Sequence, residues 1–229
     1  MLTIKSIVVT EFYQNCRIIE NEASQSCIII DPGGDPEKII GALSAGYDID
    51  EIWLTHSHID HIGGLKEIIN KVPRSDVTVI GSRYEEIMRS RLSDQARMLG
   101  LNPNAYENIS EPTKYWEELG ATINWKNSNW NILFTPGHSP GHYSFYSGNQ
   151  TYSYNGKMME SPILIAGDCL FKESVGRTDL PGGDWTILES SIKNILMQLP
   201  DNTFVCSGHG PETTIGHEKT YNPFISMTG

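Results

Sequence analysis

A short segment of this chain packs three histidines and one aspartate into six consecutive positions. These residues are His56, His58, Asp60 and His61. On a strand the first three would share one face and His61 would point to the other, whereas on a helix His56 and His58 would diverge by half a turn. The preceding residues predict a buried strand over 51–55, and those that follow recur at helical spacing. We therefore expect a tight loop between a strand end and a helix start, where α/β sheets place their chemistry.

Three further side chains of the metal-binding type follow apolar runs elsewhere in the chain. They are His138, Asp168 and His209. Glycine or proline flanks each of them, and such residues let the backbone approach a bound group closely. Because the same order of apolar strand, small residue and polar residue recurs, we expect these strand ends to converge on one rim.

Histidine is concentrated in these loops. Five of the seven histidines lie there, which random placement does not explain. His142 begins a predicted strand and is interpreted either as a support beside the site or as a packed side chain. His217 opens a predicted C-terminal helix and is interpreted as a capping or surface residue.

The clustered residues divide into two predicted metal sites. The nitrogen ligands of one ion are His56, His58 and His138. The ligands of the second ion are Asp60, His61 and His209, with Asp168 bridging both. Neutral imidazoles with carboxylates suit two divalent ions, Zn²⁺ first and Fe or Mn as alternatives, and leave positions open for water. A hydroxide held between two ions is a nucleophile at neutral pH, so Asp60 and Asp168 are predicted to be catalytic as well as metal-binding.

The charge balance limits the expected partners. The chain has 17 Lys and Arg against 28 Asp and Glu, a net charge of −11. An acidic surface repels phosphate backbones, so nucleic acid is not an expected partner. No apolar window of about 18 residues is present, and the first residues lack the pattern of a signal peptide. We expect a cytoplasmic protein without a membrane partner, and the sequence does not predict its oligomeric state.

The four cysteines are scattered and form no Cys-x-x-Cys pair. They are Cys16, Cys27, Cys169 and Cys206. A thiolate zinc site is therefore not expected, and these residues are interpreted as small buried side chains in a reducing compartment.

The pattern along the chain predicts a single α/β (α+β) domain over residues 1–229. Strands are predicted over 4–10, 16–20, 26–30, 51–55, 77–81, 121–126, 130–135, 142–147, 162–166 and 203–207. Helices are predicted over 36–45, 62–71, 83–99 and 185–199. Asp184 is the predicted N-cap of the last helix, 101–115 is expected to be irregular, and 148–161 is expected to be a polar hairpin tip. Two halves of this kind indicate two sheets packed face to face with helices outside.

Together these motifs resemble the metallo-β-lactamase-fold hydrolase superfamily. The resemblance rests on His-x-His-x-Asp-His at 56–61, followed by His138, Asp168 and His209, and it covers nearly the whole chain. It implies a four-layer αβ/βα sandwich with the metals at one edge of the two sheets.

Within this superfamily the chain is similar to glyoxalase II, hydroxyacylglutathione hydrolase, of the short bacterial type. The likeness rests on the stretches 167–171, 176–184 and 208–214. Arg177 stands where the family carries a basic residue that contacts the glutathione carboxylate, but the aromatic partner two positions on is replaced by Asp179. Cys169 replaces a common threonine and is interpreted as a packing residue.

The resemblance implies hydrolysis of S-lactoylglutathione or a related thioester by a metal-bound hydroxide. The expected partner is therefore a small-molecule thioester, with glutathione conjugates as the first candidates. Arg177 would bind a substrate carboxylate, and Asp31 would stabilise the ligand loop as a hydrogen-bond acceptor. The alternatives are a mononuclear Fe(II) persulfide dioxygenase using His56, His138 and Asp168, a lactonase or β-lactamase, and a metal-binding protein without catalysis.

Overall fold

The computed structural model of the protein describes residues 1–72, 77–109 and 112–226. Contacts divide the chain into two compact units. Unit 1 comprises Met1–Glu118 with Tyr152–Lys157, and unit 2 comprises Leu119–Thr151 with Met158–Gly229. The expectation of a single domain over 1–229 stays a prediction. Within the described ranges, every helix is too short or too polar to cross a membrane.

Unit 1 alternates strands and short helices. Its strands are β1 Leu2–Val9, β2 Gln14–Asn21, β3 Ser26–Ile30, β4 Asp48–Trp53, β5 Thr78–Gly81 and β6 Lys114–Tyr115. Its α-helices are α1 Pro36–Gly41, α2 Ile59–Ile62, α3 Leu65–Lys71, α4 Glu86–Arg89 and α5 Leu92–Met98. Its 3-10 helices are Arg83–Glu85, Pro103–Ala105 and Trp116–Glu118.

The sheet of unit 1 changes from antiparallel to parallel pairing at β3. Strands β1, β2 and β3 pair antiparallel, while β3, β4, β5 and β6 pair in parallel. Every residue of β3 is buried, as expected for a strand covered on both faces. The apolar core on one side joins Ile29 and Ile52 of the sheet to Ile62, Leu65 and Ile68 of the helices. The carboxyl ends of β3 and β4 are therefore held rigidly at one edge.

Unit 2 is built mainly from longer strands. Its strands are β7 Thr122–Trp125, β8 Ser128–Phe134, β9 Tyr143–Tyr154, β10 Lys157–Gly167, β11 Leu170–Phe171, β12 Ser174–Val175, β13 Phe204–Ser207 and β14 Thr213–Thr214. The end of β9, from Tyr152, and the first residue of β10, Lys157, belong to unit 1. Its helices are α6 Trp185–Asn194, α7 Ile215–Tyr221 and α8 Pro223–Ser226, with a 3-10 helix at Leu196–Gln198. Strands β7, β8 and β9 form antiparallel pairs, and β10 runs parallel to β13.

Helix α6 covers the sheet of unit 2 and shows how the sequence sets this packing. The Asp184 side chain accepts a hydrogen bond from the Ile187 amide at 3.0 Å, so the predicted N-cap is confirmed. Leu188 and Ile192 of α6 are buried in a core with Leu164 and Val205. The α-helix ends earlier than predicted, and a 3-10 turn continues it.

One sequence-based prediction about local structure was wrong, and another was confirmed with longer strands than expected. Asp60 and His61 lie in the single-turn helix α2, not in the loop, because that helix begins at Ile59. The segment 148–161 forms the predicted hairpin, but β9 and β10 continue into it, so that only Asn155 and Gly156 form the turn. Both turn residues have positive φ, 46° and 84°, as a tight hairpin requires.

The remaining departures are smaller. The predicted helix 36–45 is only α1, and the predicted helix 83–99 is divided into a 3-10 turn, α4 and α5. The segment 101–115 contains a 3-10 helix and β6, and residues 110 and 111 lie outside the described residues.

Candidate functional site

The first cluster of candidate ligands lies in unit 1, directly after β4. His56, His58 and His61 are buried, whereas 17% of the Asp60 side chain is exposed. His58 has extended backbone and precedes α2, so the chain turns from strand to helix within the cluster. A buried histidine group with a partly exposed carboxylate suits a site that holds a metal and admits water.

A hydrogen-bonded chain sets the tautomer of His56. The Thr55 hydroxyl donates to Oδ2 of Asp31 at 2.6 Å and lies 3.0 Å from Nδ1 of His56. Because its single proton goes to the carboxylate, the hydroxyl accepts from the His56 Nδ1–H. Nε2 of His56 therefore carries the lone pair that a metal needs.

Asp31 also orients His61. Its Oδ2 accepts from Nδ1 of His61 at 2.9 Å, and its Oδ1 accepts from the Thr55 amide at 2.8 Å. Nε2 of His61 lies 3.8 Å from Oδ2 of Asp60. Asp31, His56 and His61 form a group whose ligand atoms lie within 4.8 Å of one another. Since both Asp31 oxygens already accept hydrogen bonds, Asp31 acts here as a support for the imidazoles.

The spacing of His56 and His58 fits a shared ion. Their facing nitrogens, Nε2 and Nδ1, are 3.1 Å apart. A tetrahedral zinc with Zn–N bonds of 2.0–2.1 Å places two nitrogens about 3.3 Å apart. The donor set and its spacing in unit 1 therefore fit a divalent metal.

A glycine turn holds α2 against the end of β3. A Cβ added at Gly33 would lie 1.6 Å from the Asp60 carbonyl oxygen, so no larger residue fits without moving the backbone. Asp31 in the same turn has φ 53°, a conformation that aspartate tolerates better than most residues. Close contact with this turn fixes the backbone of Asp60.

The second cluster lies in unit 2, where His138, Asp168 and His209 follow β8, β10 and β13. Oδ2 of Asp168 lies 3.6 Å from Nε2 of His138 and 3.5 Å from Nε2 of His209. His138 and Asp168 are buried, and His209 is partly exposed. The parallel pairing of β10 with β13 brings two of these strand ends together.

The backbone of a neighbouring loop sets the tautomer of His138. Its Nδ1 donates to the Arg177 carbonyl oxygen at 2.8 Å, so Nε2 carries the lone pair and faces Asp168. A Cβ at Gly176 would lie 1.9 Å from the Asp168 carbonyl oxygen and 3.0 Å from Nδ1 of His138. Because glycine has no side chain, position 176 permits this close approach.

His142 is buried and holds the backbone of Asp168. Its Nε2 accepts from the Asp168 amide at 3.0 Å. Its Nδ1 then carries the proton and donates to the Thr135 hydroxyl at 2.9 Å. That hydroxyl lies 2.9 Å from Oγ of Ser144, which donates to the Ala166 carbonyl. His142 thus supports the Asp168 loop without being one of the clustered ligands.

Arg177 and Asp179 form an exposed ion pair. Nε and an Nη of Arg177 donate to the two oxygens of Asp179 at 2.6 and 2.7 Å. The hydrogen bonds from Arg177 lower the pKa of Asp179 to about 2, and those to Asp179 raise the pKa of Arg177. A substrate carboxylate that approached Arg177 would therefore compete with Asp179.

Cys169 and His217 lie outside the two clusters. Cys169 is fully buried in the core of unit 2, and burial, followed by the charge of Asp168, raises its thiol pKa. His217 lies in α7, its amide donates to the Thr214 hydroxyl, and its ring pairs with Glu173 at 2.9 Å. Cys169 is therefore a packing residue, and His217 binds to neighbouring side chains of unit 2.

Sequence reasoning missed the side chains that hold the ligands in place. They are Thr55, Glu85, Gln95, Thr135 and Ser144. The two threonines were detectable, since Thr55 and Thr135 each end a predicted strand shortly before candidate ligands. Glu85 and Gln95 lie in a helical segment far from the ligands along the chain, and no pattern marked them.

Comparison with known proteins places this architecture in a family. Residues 9–209 match the metallo-beta-lactamase superfamily. The chain is 34% identical to the hydroxyacylglutathione hydrolase GloC of Haemophilus influenzae, over 98% of this chain and 99% of that protein. The predicted resemblance is confirmed.

Solved structures agree with this assignment. The B3 metallo-beta-lactamase BLEG-1 superposes with a TM-score of 0.82 at 31% identity, covering 98% of this chain and all of that one. TTHA1623 in a di-iron-bound form superposes with a TM-score of 0.77 at 30% identity, covering 96% and 98%.

These matches confirm the predicted metallo-β-lactamase fold, a mixed α/β sandwich. The clusters of histidine and aspartate are typical of a dinuclear metal site. From its overall similarity and its candidate ligands, the chain belongs to the metallo-beta-lactamase superfamily, as a metal-dependent hydrolase.

Proposed function

We propose that the protein is a thioesterase of the glyoxalase II type, which hydrolyses S-lactoylglutathione or a related small-molecule thioester. The observation that carries this proposal is the near full-length similarity to a hydroxyacylglutathione hydrolase, together with a complete set of candidate ligands. Nucleic acid and membranes are not proposed as partners, in keeping with the net charge of −11.

Two divalent ions are proposed to bind to residues of both clusters. The ligands proposed for the first ion are His56, His58 and His138. The ligands proposed for the second ion are Asp60, His61 and His209, with Asp168 shared. The hydrogen bonds of His56, His61 and His138 support this assignment, because each occupies Nδ1 and leaves Nε2 for a metal. Zinc is the proposed metal, with iron as the alternative that the di-iron form of TTHA1623 favours.

The chemistry is divided between the ions and the protein. When bound, the ions lower the pKa of water and polarise a carbonyl group. The protein orients the imidazoles through Asp31, Thr55 and the Arg177 carbonyl, and it holds the Asp168 loop through His142. A thiolate is a good leaving group, so hydrolysis of a thioester needs no strong general acid from the protein.

Arg177 is the proposed contact for a substrate carboxylate. Its guanidinium is exposed but already paired with Asp179, so substrate must displace that carboxylate. Asp179→Asn is expected to lower KM for S-lactoylglutathione severalfold with little change in kcat, because the competing charge is removed. Steady-state kinetics of this variant and of Arg177→Gln, for which KM should rise, test the contact.

The direct test of the function is an assay of defined metal forms. Metal-free protein is reloaded with zinc or with iron and assayed on S-lactoylglutathione, on a simple lactone and on a β-lactam. The proposal expects hydrolysis of the thioester that is abolished by chelation and restored by metal. Thioester hydrolysis that is indifferent to the chelator would contradict it.

Measurement of oxygen uptake distinguishes the proposed thioesterase from the persulfide dioxygenase alternative. The iron-loaded protein is incubated with glutathione persulfide in an oxygen electrode. The proposal expects no metal-dependent oxygen consumption. Consumption at a rate above that of thioester hydrolysis would replace the thioesterase by a persulfide dioxygenase.

A β-lactamase is the second candidate, favoured by one observation. The B3 metallo-beta-lactamase BLEG-1 matches this chain over nearly its whole length with a TM-score of 0.82. If kcat/KM for the β-lactam in the same panel exceeded that for the thioester, this candidate would be preferred.

A further inference from the structure

In unit 1, the carboxamide of Gln95 forms hydrogen bonds with the backbone on both sides of His58. Oε1 of Gln95 accepts from the Ile59 amide at 3.0 Å, and Nε2 donates to the Ser57 carbonyl at 3.1 Å. These two backbone groups lie on either side of His58. The Gln95 carboxamide therefore forms one donor and one acceptor bond with the backbone of residues 57–59, as the backbone of a paired β-strand would.

Two further hydrogen bonds, one from Gln95 and one to Glu85, strengthen this contact. Nε2 of Gln95 also donates to the Met88 carbonyl at 3.0 Å, which ties Gln95 to the end of α4. Oε2 of Glu85, a fully buried residue, accepts from the Ser57 amide at 2.9 Å. Both backbone groups of Ser57 are thus bound by side chains of the segment 83–99.

Helix α2 shows why this contact is needed. His58 is its N-cap residue and makes no capping hydrogen bond with its side chain. The first amides of a helix lack partners within the helix, and the Ile59 amide is one of them. Gln95 supplies an acceptor for this amide from outside the helix.

We propose that Gln95 is a positioning residue for His58, which it holds for metal binding through the backbone on both sides. The inference rests on the proposed metal-dependent function. The buried residues of α5 are Leu92 and Ala96, whereas Gln95 is only partly buried. Its three hydrogen bonds instead need a group that both donates and accepts, and only a carboxamide at this position provides both in fixed geometry.

The test compares two variants with a matched control. Gln95→Glu keeps the shape and the acceptor but cannot donate to the two carbonyls, and Gln95→Met removes both functions. Gln198→Glu makes the same exchange in unit 2, where the Gln198 side chain bonds, within the described part of the chain, only to the Lys193 carbonyl. Each metal-free protein is titrated with Zn²⁺ against a chromophoric chelator.

We expect zinc affinity to fall by about 10-fold to 100-fold in both Gln95 variants, the range seen when groups that orient metal ligands are removed. Gln198→Glu should match the wild type. Hydrogen exchange of the Ile59 amide should accelerate in Gln95→Met but not in the control, while the core strands stay protected. A general loss of stability would instead accelerate exchange throughout unit 1.

Wild-type zinc affinity in both folded Gln95 variants would overturn the proposal. If one variant does not fold, the other decides the question. Wild-type protein that binds neither zinc nor iron would refute the proposed function, and the exchange of the Ile59 amide would then still show whether Gln95 anchors the segment. Unchanged exchange in Gln95→Met would overturn the anchoring as well.

Discussion

The two clusters of candidate ligands are built in opposite ways. In unit 1, four ligands lie within six consecutive residues, and side chains from other segments hold them in place. In unit 2, three ligands come from three separate strand ends. The Arg177 carbonyl accepts from the His138 ring, and the His142 side chain accepts from the Asp168 amide. The positions of ligands that are close in sequence depend on the side chains that bind their segment. The positions of ligands from separate strands depend on the register of those strands in the sheet.

This difference predicts how much metal affinity is lost when a supporting residue is removed. Asp31 contacts both Thr55 and His61 and acts on His56 through Thr55, so one support serves two imidazoles. His142 contacts the backbone of a single ligand, Asp168. Removing a support should therefore cost more metal affinity in unit 1 than in unit 2, and the comparison of Asp31→Asn with His142→Leu tests this ranking.

The largest effect is expected from Asp168→Ala. Asp168 lies within 3.6 Å of the Nε2 atoms of both His138 and His209, so its loss removes the carboxylate of the second cluster. Metal content and thioesterase activity should fall together, activity by more than about 100-fold, beyond the loss typical of a supporting residue. Metal analysis and steady-state assays measure both, with the exposed Asp201→Ala as a control. Retained metal would argue against a shared ligand.

Asp31→Asn should have the next largest effect. Asparagine tolerates the positive φ of this position, but its single amide oxygen cannot replace both Asp31 oxygens, which together accept from the Thr55 amide, the Thr55 hydroxyl and His61. We expect zinc affinity to fall by about 10-fold to 100-fold and the free energy of unfolding to fall by about 1–3 kcal/mol. Zinc titration and urea unfolding are the measurements.

Asp35→Asn is the matched control for this substitution. Asp35 also has positive φ, 48°, but it is exposed, and among the residues that the structure describes its side chain accepts only from the Thr10 amide. It should leave zinc affinity unchanged. Equal losses in the two variants would show that the backbone, not the bonds to Thr55 and His61, determines the effect.

His142→Leu should have a smaller effect on metal affinity. It removes the acceptor of the Asp168 amide and the donor to Thr135, and an unsatisfied buried amide costs about 1–3 kcal/mol. Zinc affinity should fall by about 10-fold, less than in Asp31→Asn. His217→Leu, in the same unit, serves as the control. A loss larger than that of Asp31→Asn would reverse the proposed ranking.

The smallest effect on metal binding at neutral pH is expected from Cys27→Ala. Burial, and next the charge of Glu20, raise the pKa of Cys27 from 9.0 to about 12. Between these values the unfolded chain loses the thiol proton and the folded chain keeps it, so stability is complete below pH 9.0 and falls as pH rises toward 12.

The slope for one proton is about 1.4 kcal/mol per pH unit. Urea unfolding of the wild type and of Cys27→Ala at neutral and alkaline pH measures this slope, which should be shallower in the variant. Metal content at neutral pH should be unchanged. Identical alkaline slopes would contradict the raised pKa.

The dense cluster was predictable because its signal is local. Three imidazoles and a carboxylate within six residues are typical of a metal site, and the strand before them is marked by apolar residues. The dispersed ligands were predictable from the recurring order of apolar run, small residue and ligand. The family, and with it the fold, followed from both.

The supports were not predictable, because their signal is not local. Gln95 is 36 residues from Ile59, and a glutamine on an amphipathic helix is typical of an ordinary solvated position. The early start of α2 was missed for the same reason, since its first amide is bound by that distant side chain. The hairpin over 148–161 was predicted, but the length of its two strands was not, because backbone pairing tolerates the polar side chains of this segment.

The proposal that residues of the two clusters bind two divalent ions is tested most directly by the metal content of purified protein. Elemental analysis of zinc-replete wild type should give two ions per chain, and His56→Ala from the first cluster and His209→Ala from the second should each lower that number. A wild type without bound metal, or two ions retained after either substitution, would contradict the account.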